Sequence, residues 1–112
     1  MTFKIAGVQM DIVLMDKDAN LAAMETALRE TTSNGARLTI FPECAVAGYC
    51  YDSLAEAMPY AEPIPGESSQ FFEKLCLETD SFVVYGTLER VNDQLFNACV
   101  LVGPTGVIGS YR

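Results

Sequence analysis

Histidine is absent from this 112-residue sequence, and so is tryptophan. Without imidazole there is no His-assisted serine or cysteine catalysis, and the usual zinc sites lose their commonest ligand. Acid–base chemistry would fall to carboxylates, lysine, tyrosine or cysteine. Basic residues are scarce: 7 Lys and Arg face 15 Asp and Glu, for a net charge of −8. Scattered cations in that number do not form the clusters that nucleic-acid phosphates or anionic membrane surfaces require. The expected partners are small neutral or cationic ligands and proteins, with no nucleic acid and no membrane. No apolar run approaches the roughly 20 residues of a bilayer span, and Met1-Thr2-Phe3-Lys4 lacks the pattern of a secretory leader. A cytoplasmic location is the expectation. The cysteines Cys44, Cys50, Cys76 and Cys99 show no C-x-x-C spacing and are expected as reduced thiols. Asp16 and Asp18 are close together, but a helix start favours acidic residues without any metal.

Half of the residues are apolar and a fifth charged, the balance of an ordered globular chain. A single domain over 1–112 is expected, able to bury roughly two thirds of the unfolded chain's surface. Residues 3–10 alternate apolar and small or polar positions and read as a first strand. From Asp16 to Thr32 the period changes, with Leu21, Met24 and Leu28 on one helical face. Asp16 or Asp18 can cap its start, and Asn34-Gly35 can close it. Residues 38–41 form a second strand, completing a βαβ unit whose default is a right-handed parallel crossover. Ser68 or Ser69 can open another helix bearing Phe71, Phe72, Leu75 and Cys76. Residues 82–88 and 96–102 read as strands turned by Asn92-Asp93, and residues 107–111 as a further strand after Gly103-Pro104-Thr105-Gly106. The fold class is α/β, with a mixed sheet and two main helices. Cys76, on a helix stripe, and Cys99, within a strand, are expected in the core.

The most informative stretch is Leu38-Thr39-Ile40-Phe41-Pro42-Glu43. Its apolar run predicts a strand covered on both faces, which Pro42 ends, leaving Glu43 at a sheet rim. Open α/β folds place their chemistry beyond the carboxyl ends of strands. By itself the hexapeptide reads more readily as a strand followed by a solvated loop carboxylate than as a catalytic site. The irregular stretch 45–65 follows Glu43 directly, with a short helix possible behind Asp52 or Ser53, and long loops of this kind are more often functional than idle.

Read in order, the opening strand with Ala6-x-x-Gln9, Phe41-Pro42-Glu43 followed by Gly48-Tyr49, Tyr85-Gly86, Asn97-Ala98, Pro104-x-Gly106 and Tyr111-Arg112 resembles the nitrilase or carbon–nitrogen hydrolase superfamily. The series spans nearly the whole chain. The resemblance implies an αββα sandwich, of which these residues form the first half, with an uncovered apolar sheet face and homo-oligomeric assembly. It implies hydrolysis of a small-molecule amide or nitrile by a Glu, Lys and Cys through a thioester, with no cofactor. Glu43 matches the family's general base, a role that calls for burial to disfavour the charged carboxylate. Tyr49 is implied as a pocket-lining residue, with a packing role equally open. The family's lysine follows a Tyr-Arg pair such as Tyr111-Arg112, and its nucleophilic cysteine lies further on. Only the glutamate has a counterpart among the 112 residues. Cys44 adjoins Glu43, but on an extended segment its side chain is expected to point the other way. Lys4 and Lys74 are expected on the solvated surface. The alternative is a catalytically inactive half-domain that serves as a binding or oligomerisation module.

Overall fold

Five strands form one mixed sheet in the computed structural model, which describes residues 2–112: β1 (Ile5–Gly7), β2 (Leu38–Ile40), β3 (Phe82–Val91), β4 (Gln94–Gly103) and β5 (Gly106–Tyr111). Their order in the sheet follows the sequence. β1, β2 and β3 run parallel, whereas β3, β4 and β5 pair antiparallel through tight turns. Three helices complete the chain: α1 (Lys17–Ser33), α2 (Leu54–Ala57) and α3 (Glu67–Thr79), with a 3-10 turn at Met58–Tyr60.

α1 begins where the sequence places it, with the Asp16 carboxylate accepting from the Ala19 N–H at 3.0 Å. It ends at Asn34 before Gly35, whose φ of +90° is the left-handed geometry glycine tolerates best. Ser53 caps α2 by accepting from the Glu56 N–H. α3 opens at Glu67 behind Gly66, one residue before Ser68 and two before Ser69, the serines that the sequence offers as its start. Its first-turn N–H of Ser68 is taken by the Glu62 carboxylate at 2.7 Å, an acceptor six residues upstream that local pattern does not reveal.

The core lies between the helices and one face of the sheet. Leu21, Met24 and Leu28 from α1 meet Phe72, Leu75 and Cys76 from α3 and Val83, Tyr85, Val100 and Val102 from the strands. The Phe72 ring is fully buried, 4.7 Å from that of Tyr85. Burial of an aromatic of this size contributes about 2–3 kcal/mol. The buried Thr39 hydroxyl on this face is satisfied by Thr31 at 2.7 Å.

Three strand expectations change. β1 is three residues long rather than eight: among the described residues it is an edge strand beside β2, which stops at Ile40, so the chain leaves the ladder after Val8 bonds to the Ile40 carbonyl at 2.9 Å. β4 starts at Gln94, because Asn92, at φ 55°, and Asp93 make a two-residue hairpin. β2 is covered on one face only. The register puts Ile5, Leu38, Ile40, Val84, Leu101 and Tyr111 on the side away from α1 and α3, where Ile40 is 38% and Tyr111 78% exposed. Cys99 occupies that same face and is exposed rather than part of the core, because strand alternation opposes it to Val100, which points at the helices. One helix layer and one sheet layer with a bare apolar face make the half-sandwich expected from the sequence. No helix among the described residues is long and apolar enough to cross a membrane.

Candidate active site

Glu43 stands where β2 gives way to a turn. Phe41 still donates to the Val84 carbonyl at 2.8 Å, but Pro42 has no N–H to continue the ladder. Cys44 then takes φ 48°, and Gly48 closes the turn by donating to the Cys44 carbonyl at 2.8 Å. This turn lies directly upon β3 at Gly86. A Cβ built on Gly86 would stand 2.6 Å from the Pro42 oxygen and 2.8 Å from the Glu43 Cα, and closer still to the Cys44 nitrogen. Glycine therefore provides room for the turn, which is the physical content of the Tyr85-Gly86 pair. The buried Asn20 of α1 ties the next segment down, donating to Val46 at 3.0 Å and to Val13 at 2.8 Å.

Across the uncovered face, Asn97 projects from β4 toward the turn. Its Nδ2 donates to Glu43 Oε1 at 2.5 Å, and Cys44 Sγ donates to its Oδ1 at 3.6 Å. Two expectations are corrected here. Cys44 does not point away from Glu43, because its left-handed backbone is not the extended conformation on which alternation rests. Glu43 is exposed rather than buried, since nothing among the described residues covers this side of the sheet. Burial, and then the neighbouring Glu43 charge, push the Cys44 thiol up to about 11. It is a protonated donor near neutral pH and a poor nucleophile.

A cavity of about 380 Å³ opens beside the carboxylate, walled by Ile40, Val84 and Cys99, with Tyr111 and Arg112 at its far side. The Arg112 guanidinium is fixed at this rim. It donates from Nε and Nη2 to Glu89 at 3.0 and 2.9 Å and lies 3.9 Å above the Phe96 ring. Those hydrogen bonds hold the Glu89 carboxyl below the usual carboxylate range against its burial. The cavity thus combines apolar walls, one carboxylate and an anchored cation.

Of the residues singled out by sequence, the structure brings Glu43, Cys44, Cys99 and the Tyr111-Arg112 pair to one rim. Tyr49 is elsewhere: 55% exposed, it lines a separate depression with Ile12 and Leu14. Lys4 is exposed, as expected, with its ammonium on the Asn34 carbonyl at 2.7 Å, and Lys74 is exposed on α3. Asn97 was visible only as half of an Asn-Ala pair, and its contact with Glu43 depends on β3 and β4 carrying it 54 residues back to the turn. No group of three or more His, Cys, Asp or Glu side chains among the described residues could hold a metal ion.

Comparison with known proteins adds independent findings. A sequence model of the family described as carbon–nitrogen hydrolase matches residues 4–112. A nitrilase from Pyrococcus abyssi (strain GE5 / Orsay) is 36% identical over 110 residues, 97% of this chain and 42% of its own length. The omega-amidase NIT2 of Homo sapiens is 31% identical over 113 residues, 99% of this chain and 40% of its own. Among solved structures, an N-terminal amidase superposes with a TM-score of 0.82 at 21% identity, over 95% of this chain and 26% of that one. An amidase from Nesterenkonia sp. superposes at 0.75 and 18% identity, over 98% and 42%. At those identities the two structures speak for the fold. The chain spans about two fifths of the length of these curated relatives.

Proposed function

The chain belongs to the carbon–nitrogen hydrolase family, and from that premise we propose that it forms the amino-terminal part of a hydrolase acting on amide or nitrile carbon–nitrogen bonds of small molecules. The observation that carries the reading is the placement of Glu43: a turn seated on Gly86 holds its carboxylate at the carboxyl end of β2, beside a cavity with apolar walls. Glu43 is the general base. Its carboxylate takes the proton of a cysteine thiol, and the thiolate forms a bond to the amide or nitrile carbon. A lysine outside these 112 residues steadies the charge that develops on the substrate. Glu43 returns that proton to the leaving nitrogen, so ammonia or an amine departs as the thioester forms (a nitrile takes up one water on the way), and Glu43, again a carboxylate, takes a proton from the water that cleaves the thioester and passes it to the cysteine sulfur. The nucleophilic cysteine also lies outside these residues. A second sheet packed on the bare face would supply the desolvation that a neutral-pH base needs. Tyr49, in its separate depression with Ile12 and Leu14, lies outside this cavity and is given no part in the reaction. The mechanism uses side chains only and calls for no cofactor; the cytoplasm and a homo-oligomer complete the proposal.

The test is ammonia release from amides and nitriles by the protein expressed with its coding sequence past Arg112. Glu43→Gln should lower kcat by about 10²–10⁴-fold. The 112 residues alone should release none. Undiminished turnover in Glu43→Gln would refute the assignment, as would a stop codon after Arg112 in place of a lysine.

The bare apolar face favours one second reading, an inactive half-domain that pairs with another copy. On that reading the 112-residue chain forms a defined oligomer by light scattering, and Ile40→Lys, on that face, returns it to monomer.

A further inference from the structure

Three groups from distant parts of the sequence meet at the rim beside Gly86: the Glu43 carboxylate, the Cys44 thiol and the Asn97 carboxamide. The amide has only one orientation that satisfies both neighbours. A carboxylate accepts and cannot donate, so the face toward Glu43 must be the NH2. That leaves Oδ1 toward Cys44, and a thiol protonated by its burial is the donor that oxygen requires. Reversing the amide would set Oδ1 against the carboxylate, two acceptors face to face, and the bond to Glu43 would be lost.

Asn97 has further reasons to hold still. It lies within a ten-residue strand, opposite Leu88 and two positions from Cys99, itself opposite Gly86. The turn that carries Glu43 is pressed onto Gly86 and pinned by Val46 donating to the Gly86 carbonyl at 3.4 Å. Carboxylate and carboxamide are thus held to the same two strands. The bond uses Oε1, and the other carboxylate oxygen has no side-chain partner among the described residues. That oxygen is the one available to a thiol or a water.

We propose that Asn97 is a positioning residue for Glu43: its carboxamide, oriented by the Cys44 thiol, clamps one carboxylate oxygen so that the other is aimed at the reacting group. This inference rests on the hydrolase reading given above.

The clamp predicts a loss in kcat without a matching loss in substrate affinity. In the active protein, Asn97→Ala should lower kcat about 100-fold with KM changed less than about threefold, the size expected when a reacting group is displaced by about an ångström. Cys44→Ser, which keeps a donor toward Oδ1, should retain more of kcat than Cys44→Ala. The bond itself is read by NMR on the side-chain NH2 of Asn97: Glu43→Gln replaces the charged acceptor and should move that resonance upfield. An Asn97 resonance unmoved by Glu43→Gln overturns the proposal whatever the kinetics, and so does an Asn97→Ala enzyme that raises KM while keeping kcat. If the wild-type protein turns over no amide or nitrile while the Asn97 resonance still follows Glu43, the hydrolase reading fails and the clamp stands.

Discussion

Replacing Gly86 by alanine adds one methyl group at the point where the Glu43 turn touches β3. The Pro42 oxygen would then lie 2.6 Å from that methyl, and moving it to the 3.4 Å of ordinary contact lifts the turn by about 0.8 Å. The obstruction is backbone on both sides, so no side chain can rotate out of the way. Overpacking of this kind costs about 1–3 kcal/mol. For a chain of this length that lowers Tm by about 4–8 °C per kcal/mol. The same lift carries Glu43 away from Asn97, whose bond is already short at 2.5 Å and cannot follow from a strand paired on both edges. A displacement near an ångström predicts a fall in kcat of about 100-fold. Thermal unfolding of the 112 residues by circular dichroism, and ammonia release by the protein expressed with its coding sequence past Arg112, read the two effects. An alanine variant with the parent's Tm and kcat would refute both the contact and its role in placing the carboxylate.

Glu62 predicts a separate loss of stability. Its buried carboxylate accepts from Ser68 at the start of α3 and pairs with Lys17 of α1 at 2.6 Å, so Glu62→Ala strands a largely buried ammonium and uncaps a helix. About 3–5 kcal/mol should be lost in urea unfolding, and adding Lys17→Met should recover part of it; purely additive losses would contradict the pairing. Burial pushes the thiols of Cys44 and Cys76 up to about 11, so their thiolates form only as pH rises toward that value. Iodoacetamide at pH 8 should label the exposed Cys50 and Cys99 first, and peptide mapping that finds Cys44 labelled as fast as Cys50 would oppose the arrangement. Arg112 holds the Glu89 carboxyl below its ordinary range, so this pair stabilises the fold above the unfolded carboxyl's value and loses that contribution as pH falls through the lower folded one. The difference in Tm between parent and Arg112→Ala should therefore shrink below about pH 4; a difference constant from pH 7 to 3 would remove the pair from the account. Since Arg112 is half exposed, solvent screening keeps the whole effect small.

Much of this protein was legible in the order of its residues. The 3.6-residue spacing of Leu21, Met24 and Leu28 marked α1, and Asp16 and Gly35 marked its ends, because helix periodicity and capping act within a few residues. Pro42 marked the end of β2 and put Glu43 at a rim for an equally local reason. The ordered series from Ala6 to Arg112 carried the family, which the match over residues 4–112 bears out. The sequence also set the acidic balance and left these 112 residues without imidazole.

Only the tertiary structure decided which side of each strand is covered and what meets Glu43. An apolar run reads the same whether one face or two are buried, so the exposure of Ile40 and Cys99 follows from where the helices pack. The length of β1 depended on its neighbour, because a strand lasts only as long as its partner supplies hydrogen bonds. Asn97 reaches Glu43 through strand register, and Gly86 matters through a contact with backbone some forty residues earlier. Such encounters are set by how strands stack side by side, a relation between distant segments that no local pattern of residues encodes.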